Sequence, residues 1–206
     1  VLPDENRMIN GFTDYEELTR TRRLIMRSYK LPGNRLRLLH TNENRGVVTI
    51  DEERDYHFRY VLEDNFGNRR TYQFTVKGKR QDIPEYKPEA NEMLYWNRTN
   101  VIQKPGMELV VPRYYVYEDV PLRTDMRGDS SLIAFDYILD AGRTPIHSYC
   151  DLSIGLRHMP VADTTKYYIV QKAGKWQSSM GGKYANGWIK TRVRSLGTFS
   201  VDVDTI

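Results

Sequence analysis

Four histidines, one cysteine and a scatter of acids are the side chains of this sequence that could do chemistry. His40, His57, His147 and His158 stand far apart, and Cys150 is the single thiol. A zinc site takes three or four protein ligands, and its usual signatures are short pairs such as His-x-His or His-Glu-x-x-His. Neither pair occurs here. His147-Ser148-Tyr149-Cys150-Asp151 has a bare His-x-x-x-Asp spacing. On an extended strand His147 and Asp151 would share a face. A third ligand and a base are lacking, so the histidines are read as structural or surface groups. A Cys150–His147 dyad would need residues on opposite faces of one strand to touch. No Gly-x-Ser-x-Gly elbow, phosphate loop or dinucleotide fingerprint is present. No catalytic residue and no metal ligand is assigned, and Cys150 reads as a small buried hydrophobe.

The aromatic residues form a second candidate set. Tyr95-Trp96, Tyr114-Tyr115-Val116-Tyr117, Trp176, Tyr184 and Trp188 are many large rings for one β-rich region. Flat rings at a surface can stack on a sugar, although most rings in β proteins fill cores. Trp96, Trp176 and Tyr184 are the candidate ligand-binding residues. Trp176, flanked by Gly174, Lys175, Gln177, Ser178 and Ser179, is the one expected to be exposed. Asn97-Arg98-Thr99 fits a glycosylation sequon, a short match that is frequent by chance.

Composition narrows the classes. The chain has 206 residues, a net charge of +4 and 39% hydrophobic residues, enough for one large or two small cores. Its charges interleave, as in Asp51-Glu52-Glu53-Arg54-Asp55, with no basic stripe, which argues against nucleic acid as a partner. No apolar run approaches the roughly 20 residues of a membrane span. The start at Val1-Leu2-Pro3 and the end at Asp204-Thr205-Ile206 read as those of a trimmed or mature fragment.

The elements that must position these residues follow from periodicity. Thr13-Asp14-Tyr15-Glu16 fits a capping box, with Thr13 and Glu16 as the reciprocal pair. Tyr15, Leu18, Ile25, Met26 and Tyr29 recur at helical spacing, and Pro32-Gly33 stops the pattern. A helix is therefore expected over about 13–30, with Arg22, Arg23 and Arg27 on its solvated face near the C-terminus. The period then changes to two. Phe58, Tyr60 and Leu62, a turn at Asp64-Asn65-Phe66-Gly67-Asn68, and Tyr72, Phe74 and Val76 predict a hairpin, with Gly46 to Ile50 as a partner strand. Residues 77–88 read as a linker. Beyond it, seven short strands are expected at 109–111, 114–117, 132–139, 147–156, 167–171, 188–194 and 198–203. That pattern predicts an Ig-like antiparallel β-sandwich. Its core would include Leu132, Ile133, Phe135, Ile138, Leu152, Ile154, Ile169 and Phe199. Gly181-Gly182 and Asn186-Gly187 mark tight turns. The expected layout is mostly β: a small α+β unit over 1–82, then a sandwich over 83–206.

Three groups of residues carry a family resemblance. They are Arg27-Ser28-Tyr29 with Pro32-Gly33-Asn34-Arg35-Leu36; Tyr60, Asp64 and Gly67-Asn68; and a C-terminal run. That run is Gly181-Gly182-Lys183-Tyr184, Gly187-Trp188, Arg192, Arg194-Ser195-Leu196-Gly197-Thr198-Phe199 and Asp202-Val203-Asp204-Thr205. Together they resemble the region downstream of the catalytic domain in large bacterial lysostaphin-type zinc metallopeptidases. The resemblance implies an exported protein of the periplasm or cell envelope whose upstream catalytic domain cleaves peptidoglycan cross-links. That domain's His-x-x-x-Asp has Gly at the middle position, where this chain has Tyr149, and its His-x-His is missing here. No zinc or catalytic residue is carried over, so no cofactor is expected in this chain. The expected role is a non-catalytic accessory region that positions the catalytic domain or docks it on the wall. A glycan-binding module and a protein-interaction scaffold of the envelope are the alternatives.

Overall fold

From residue 92 onward, alternation of apolar and polar residues builds two facing sheets. A computed structural model describes residues 3–85, 87, 89–129 and 131–205. The chain divides into two compact units, Val1–Gly46 with Pro88–Ile206, and Val47–Lys87. The helical segment and the hairpin expected together over 1–82 therefore fall in different units. Tyr86 and Pro88 of the expected linker lie outside the described residues.

The smaller unit is a two-stranded ribbon, β1 (Asp55–Glu63) and β2 (Arg69–Lys77), paired from Asp55↔Lys77 to Glu63↔Arg69. Its turn is held by Asp64, whose carboxylate accepts the backbone N–H groups of Phe66 and Asn68 and the Asn68 side chain. Period two puts Phe58, Tyr60, Tyr72 and Phe74 on one face, where Phe58 stacks on Phe74 at 5.1 Å and Tyr60 lies 6.0 Å from it. The partner strand expected at Gly46–Ile50 does not form; those residues are exposed and irregular. Val47 and Val48 gave the β-branched signal, but the sheet closes at two strands without them.

The larger unit opens with α1 (Pro3–Met8), a 3-10 turn at Ile9–Phe12, and α2 (Tyr15–Thr21). The helix expected over 13–30 stops at Thr21. Its N-cap is Asp14, whose carboxylate accepts the Glu17 N–H at 2.9 Å, rather than Thr13. Arg22 leaves the helix with φ 62, and the chain turns back to pair Met26 with Thr13. Tertiary pairing thus overrides the helical spacing of Ile25 and Met26. Met8, Phe12, Leu31 and Leu36 bury themselves around Tyr117. Gly33 lets the backbones meet there: its N–H donates to the Tyr117 carbonyl at 2.6 Å, and a Cβ would lie 3.0 Å from that oxygen. The Tyr117 hydroxyl donates to the Arg7 carbonyl and lies 2.9 Å from His147 Nδ1.

Eleven strands follow: β3 (Glu92–Leu94), β4 (Asn100–Lys104), β5 (Met107–Val111), β6 (Val120–Arg127), β7 (Asp136–Asp140), β8 (Cys150–Gly155), β9 (Tyr167–Ala173), β10 (Trp176–Gly181), β11 (Lys183–Ala185), β12 (Trp188–Val193) and β13 (Gly197–Val203). They form a six-stranded sheet, β10-β9-β13-β7-β6-β3, and a five-stranded sheet, β11-β12-β8-β5-β4. Every pairing is antiparallel. The chain is thus mostly β, as a sandwich. Asn186-Gly187, both at positive φ, make the two-residue turn that pairs Ala185 with Trp188.

The inner faces carry Leu109, Leu139, Leu152, Ile154, Ile169, Ile189 and Phe199, all wholly buried. Leu152, Ile154, Ile169 and Phe199 were expected there. Leu132, Ile133 and Phe135 are only partly buried, because 132–135 precede β7 as a turn. On β7 the inward residues are Tyr137 and Leu139, and Ile138 faces outward, one step off the expected register. Residues 114–117 are likewise a turn rather than a strand. Burying a polar hydroxyl needs a partner: Tyr137 donates to the Pro105 carbonyl at 2.7 Å, and Tyr167 to that of Val161.

This register is testable by denaturant unfolding. Leu139→Ala should cost about 2–5 kcal/mol, and its neighbour Ile138→Ala less than half as much. A larger loss at Ile138 than at Leu139 would mean that β7 is turned the other way.

Candidate functional site

The outward face of the six-stranded sheet gathers charge by the same alternation that buries its inner face. On β6, Val120, Leu122 and Thr124 point inward, leaving Arg123, Asp125 and Arg127 outside. On β7 the outward set is Asp136, Ile138 and Asp140. The register sets Arg123 opposite Asp140, Asp125 opposite Ile138, and Arg127 opposite Asp136. β13 places Thr198 beside Ile138, and β9 places Lys172 beside Thr198. One row across four strands therefore reads Asp125, Ile138, Thr198, Lys172.

Arg123, Arg127, Ile138, Asp140, Lys172 and Thr198 line a pocket of about 320 Å³ with Leu139, Gly142, Leu196 and Gly197, and Asp125 and Asp136 stand outside that lining as ion-pair partners of Arg127 and Lys172. Arg123 meets Asp140 at 3.0 Å, Lys172 meets Asp136 at 2.6 Å, and Arg127 meets Asp125 at 3.1 Å. The Gly142 N–H, with Arg123, holds the Asp140 carboxyl below the usual carboxylate range. The Met126 N–H, with Arg127, does the same for Asp125. The pairs are partly solvated, so each contributes little to stability. They can exchange partners with a ligand at small cost. Three cations, the Asp140 carboxylate, a threonine hydroxyl and an apolar floor of Ile138 and Leu196 suit a small ligand bearing hydroxyl, carboxylate and ammonium groups.

The three candidate ligand rings, Trp96, Trp176 and Tyr184, make no ring contact with one another among the described residues. Trp96 lies in the β3–β4 turn at one side of the sandwich. It is half-buried and packs beside Tyr114 at 6.0 Å, whose ring also carries Arg35 and Arg113. Trp176 begins β10, an edge strand, and is 82% exposed. Tyr184 sits on β11, the corresponding edge of the other sheet, at 37% exposure. No ring contact joins Trp176 to Tyr184 among the described residues.

The histidines stay apart as well. His147 is buried against Tyr117 ahead of β8, so it shares no strand face with the exposed Asp151. His40, His57 and His158 are exposed. Among the described residues no group of three or more His, Cys, Asp or Glu could hold a metal ion. Cys150 is wholly buried, and burial first, then Asp151, pushes its thiol up to about 12.

The pocket residues escaped sequence reasoning, although a signal was present. Arg123-x-Asp125-x-Arg127 and Asp136-x-Ile138-x-Asp140 alternate charge at period two, the mark of a solvated strand face. Which face gathers a pocket depends on the strand order.

Fold and site together define a β-sandwich module with a charged recess on one sheet. The Zu5-like domain family model matches residues 91–204, which spans the whole sandwich. The chain belongs to the Zu5-like domain family. A search of curated proteins gives no match. Nothing in the family match links the chain to lysostaphin-type metallopeptidases.

Cys150 should resist a thiol reagent such as dithionitrobenzoate in the native chain and react fully once it is unfolded in denaturant. Rapid native labelling at neutral pH would contradict both its burial and its raised pKa.

Proposed function

We propose that this chain is a non-catalytic recognition module that docks a larger envelope protein onto a glycan, with peptidoglycan as its ligand. The observation that carries the reading is the pocket around Arg123, Asp140, Lys172 and Thr198. Peptidoglycan offers sugar hydroxyls, stem-peptide carboxylates and free ammonium groups. Arg123 and Lys172 would take a carboxylate, Asp140 an ammonium, and the Ile138–Leu196 floor the apolar face of a sugar ring. The finer reading places the module in a periplasmic or cell-envelope zinc metallopeptidase. There it would position an upstream catalytic domain, and any zinc would belong to that domain. Its support is the motif resemblance of Gly181-Gly182-Lys183-Tyr184 and Arg194 to Phe199.

A second reading rests on β10. This edge strand is exposed along nearly its whole length and begins at Trp176. An extended segment of a partner protein could add to it as a further strand, with Trp176 as the anchor. Trp176→Ala would then abolish partner capture and leave sugar binding intact.

The pocket is tested with purified sacculi and soluble muropeptides. Arg123→Ala and Asp140→Ala should each weaken binding about tenfold, since a hydrogen bond to a charged group is worth roughly 1.5–3 kcal/mol. Asp140 in the pocket has a depressed pKa, so its charge persists below the ordinary aspartate value of about 3.9. Its contribution is complete above that value and is lost as pH falls through the folded pKa. Binding should therefore hold from neutral pH down to about 4 and fade below it. Sacculus binding that ignores both substitutions would rule out this pocket, and no binding to any sacculus would rule out the ligand.

A further inference from the structure

The loop that leaves α2 sets two arginines beside three exposed apolar side chains. Arg22, Arg23, Leu24, Ile25 and Met26 are five consecutive exposed residues. Leu24 is 65% exposed and Met26 51%. The sequence pattern had placed these arginines on a helix face, where a solvated charge run needs no partner. The helix instead ends before them, and the apolar residues meant for its buried stripe lie open beside the cations.

The charge is one-sided. No acidic residue occurs from Arg20 to Lys30. Arg20 is paired with Glu17, and Arg27 donates to the Gly11 carbonyl. The side chains of Arg22 and Arg23 have no ion pair among the described residues, whereas Arg37, Arg54, Arg69, Arg123 and Arg127 each have one.

The loop is also held in place. The Arg22 N–H caps α2 on the Leu18 carbonyl, with Arg22 at φ 62, a region that residues with a Cβ seldom use. On the far side Asp14 N–H donates to the Ile25 carbonyl at 3.0 Å, and Arg27 N–H to that of Phe12 at 2.7 Å. A protrusion fixed at both ends loses little freedom on binding.

We propose that residues 22–26 dock this chain on an anionic lipid surface. Leu24, Ile25 and Met26 would enter the boundary between headgroups and acyl chains, while Arg22 and Arg23 take the lipid phosphates. Three apolar side chains expose a few hundred Å² at most, well short of the roughly 800 Å² per partner of a stable protein interface. A fluid bilayer needs no matching shape, and its negative charge complements the arginines. Among the described residues no helix is long and apolar enough to cross a membrane.

The test is co-sedimentation of the full chain with vesicles of phosphatidylcholine, with and without about one third phosphatidylglycerol. Binding should require the anionic lipid and weaken with salt. Arg22→Asn with Arg23→Gln removes both charges, and Asn tolerates the left-handed backbone at position 22. This pair should lower affinity about 30-fold. Leu24→Asp with Met26→Asp should lower it at least as far, with an unchanged circular dichroism spectrum. No binding to the anionic vesicles would overturn the proposal. So would binding that survives both pairs of substitutions. Binding that is lost with the arginines, untouched by Leu24→Asp with Met26→Asp, and competed away by inorganic phosphate would reduce the loop to a simple anion site and also overturn it.

Discussion

Closure of two sheets over one apolar layer is the interaction on which the larger unit depends. Leu139 and Phe199 from one sheet and Leu152, Ile154 and Ile189 from the other are wholly removed from water. Burying such a side chain is worth roughly 1.5–3 kcal/mol. Because side chains alternate, each inward residue obliges its neighbour to face out. The recess around Arg123, Asp140 and Lys172 is thus a consequence of the core: Leu122 and Leu139 point in, so Arg123 and Asp140 point out. A one-residue slip of β7 would bury two aspartates and dissolve the pocket.

Polar groups at the sandwich ends follow the same logic. Tyr117 is 3% exposed and His147 6%, and each supplies the other with a hydrogen-bond partner. Through the Arg7 carbonyl and the Gly33 N–H, the Tyr117 site also ties down the N-terminal segment. That anchoring stops α2 short, because residues 25–27 are taken up by hydrogen bonds to 12–14. The exposed Arg22–Met26 loop is therefore produced by packing several residues away.

The β1–β2 ribbon has a different balance. A lone hairpin is marginal in water, and this one relies on nine cross-strand residue pairs, a carboxylate-bound turn and its aromatic ladder. Tyr60 at 46% exposure and Tyr72 at 65% show how much of that ladder remains in contact with solvent.

Several features were legible from residue order because their causes are local. The hairpin at 55–77 follows from strict alternation and an Asp-Asn-Phe-Gly-Asn turn. The turn at Asn186-Gly187 and the exposure of Trp176 among small and polar neighbours also follow from near neighbours, and the burial of Cys150 agrees with the tendency of a free cysteine to be buried. The mostly β character follows from many short alternating runs. Other features needed the tertiary structure. The end of α2 depends on Met26 pairing with Thr13, a contact that competes with helical spacing. The facing of Ile138 depends on which side of β7 meets the core, and period two alone cannot choose between two apolar neighbours. Strands β3, β4, β6, β10 and β11 were not expected. β3 and β11 are three residues long, and β10 is polar and exposed, so their form comes from the strand beside them. The charged recess joins residues 123, 140, 172 and 198, which only sheet order can bring together. Local sequence determined the elements and their turns; the order in which the strands pair decided the surface they present.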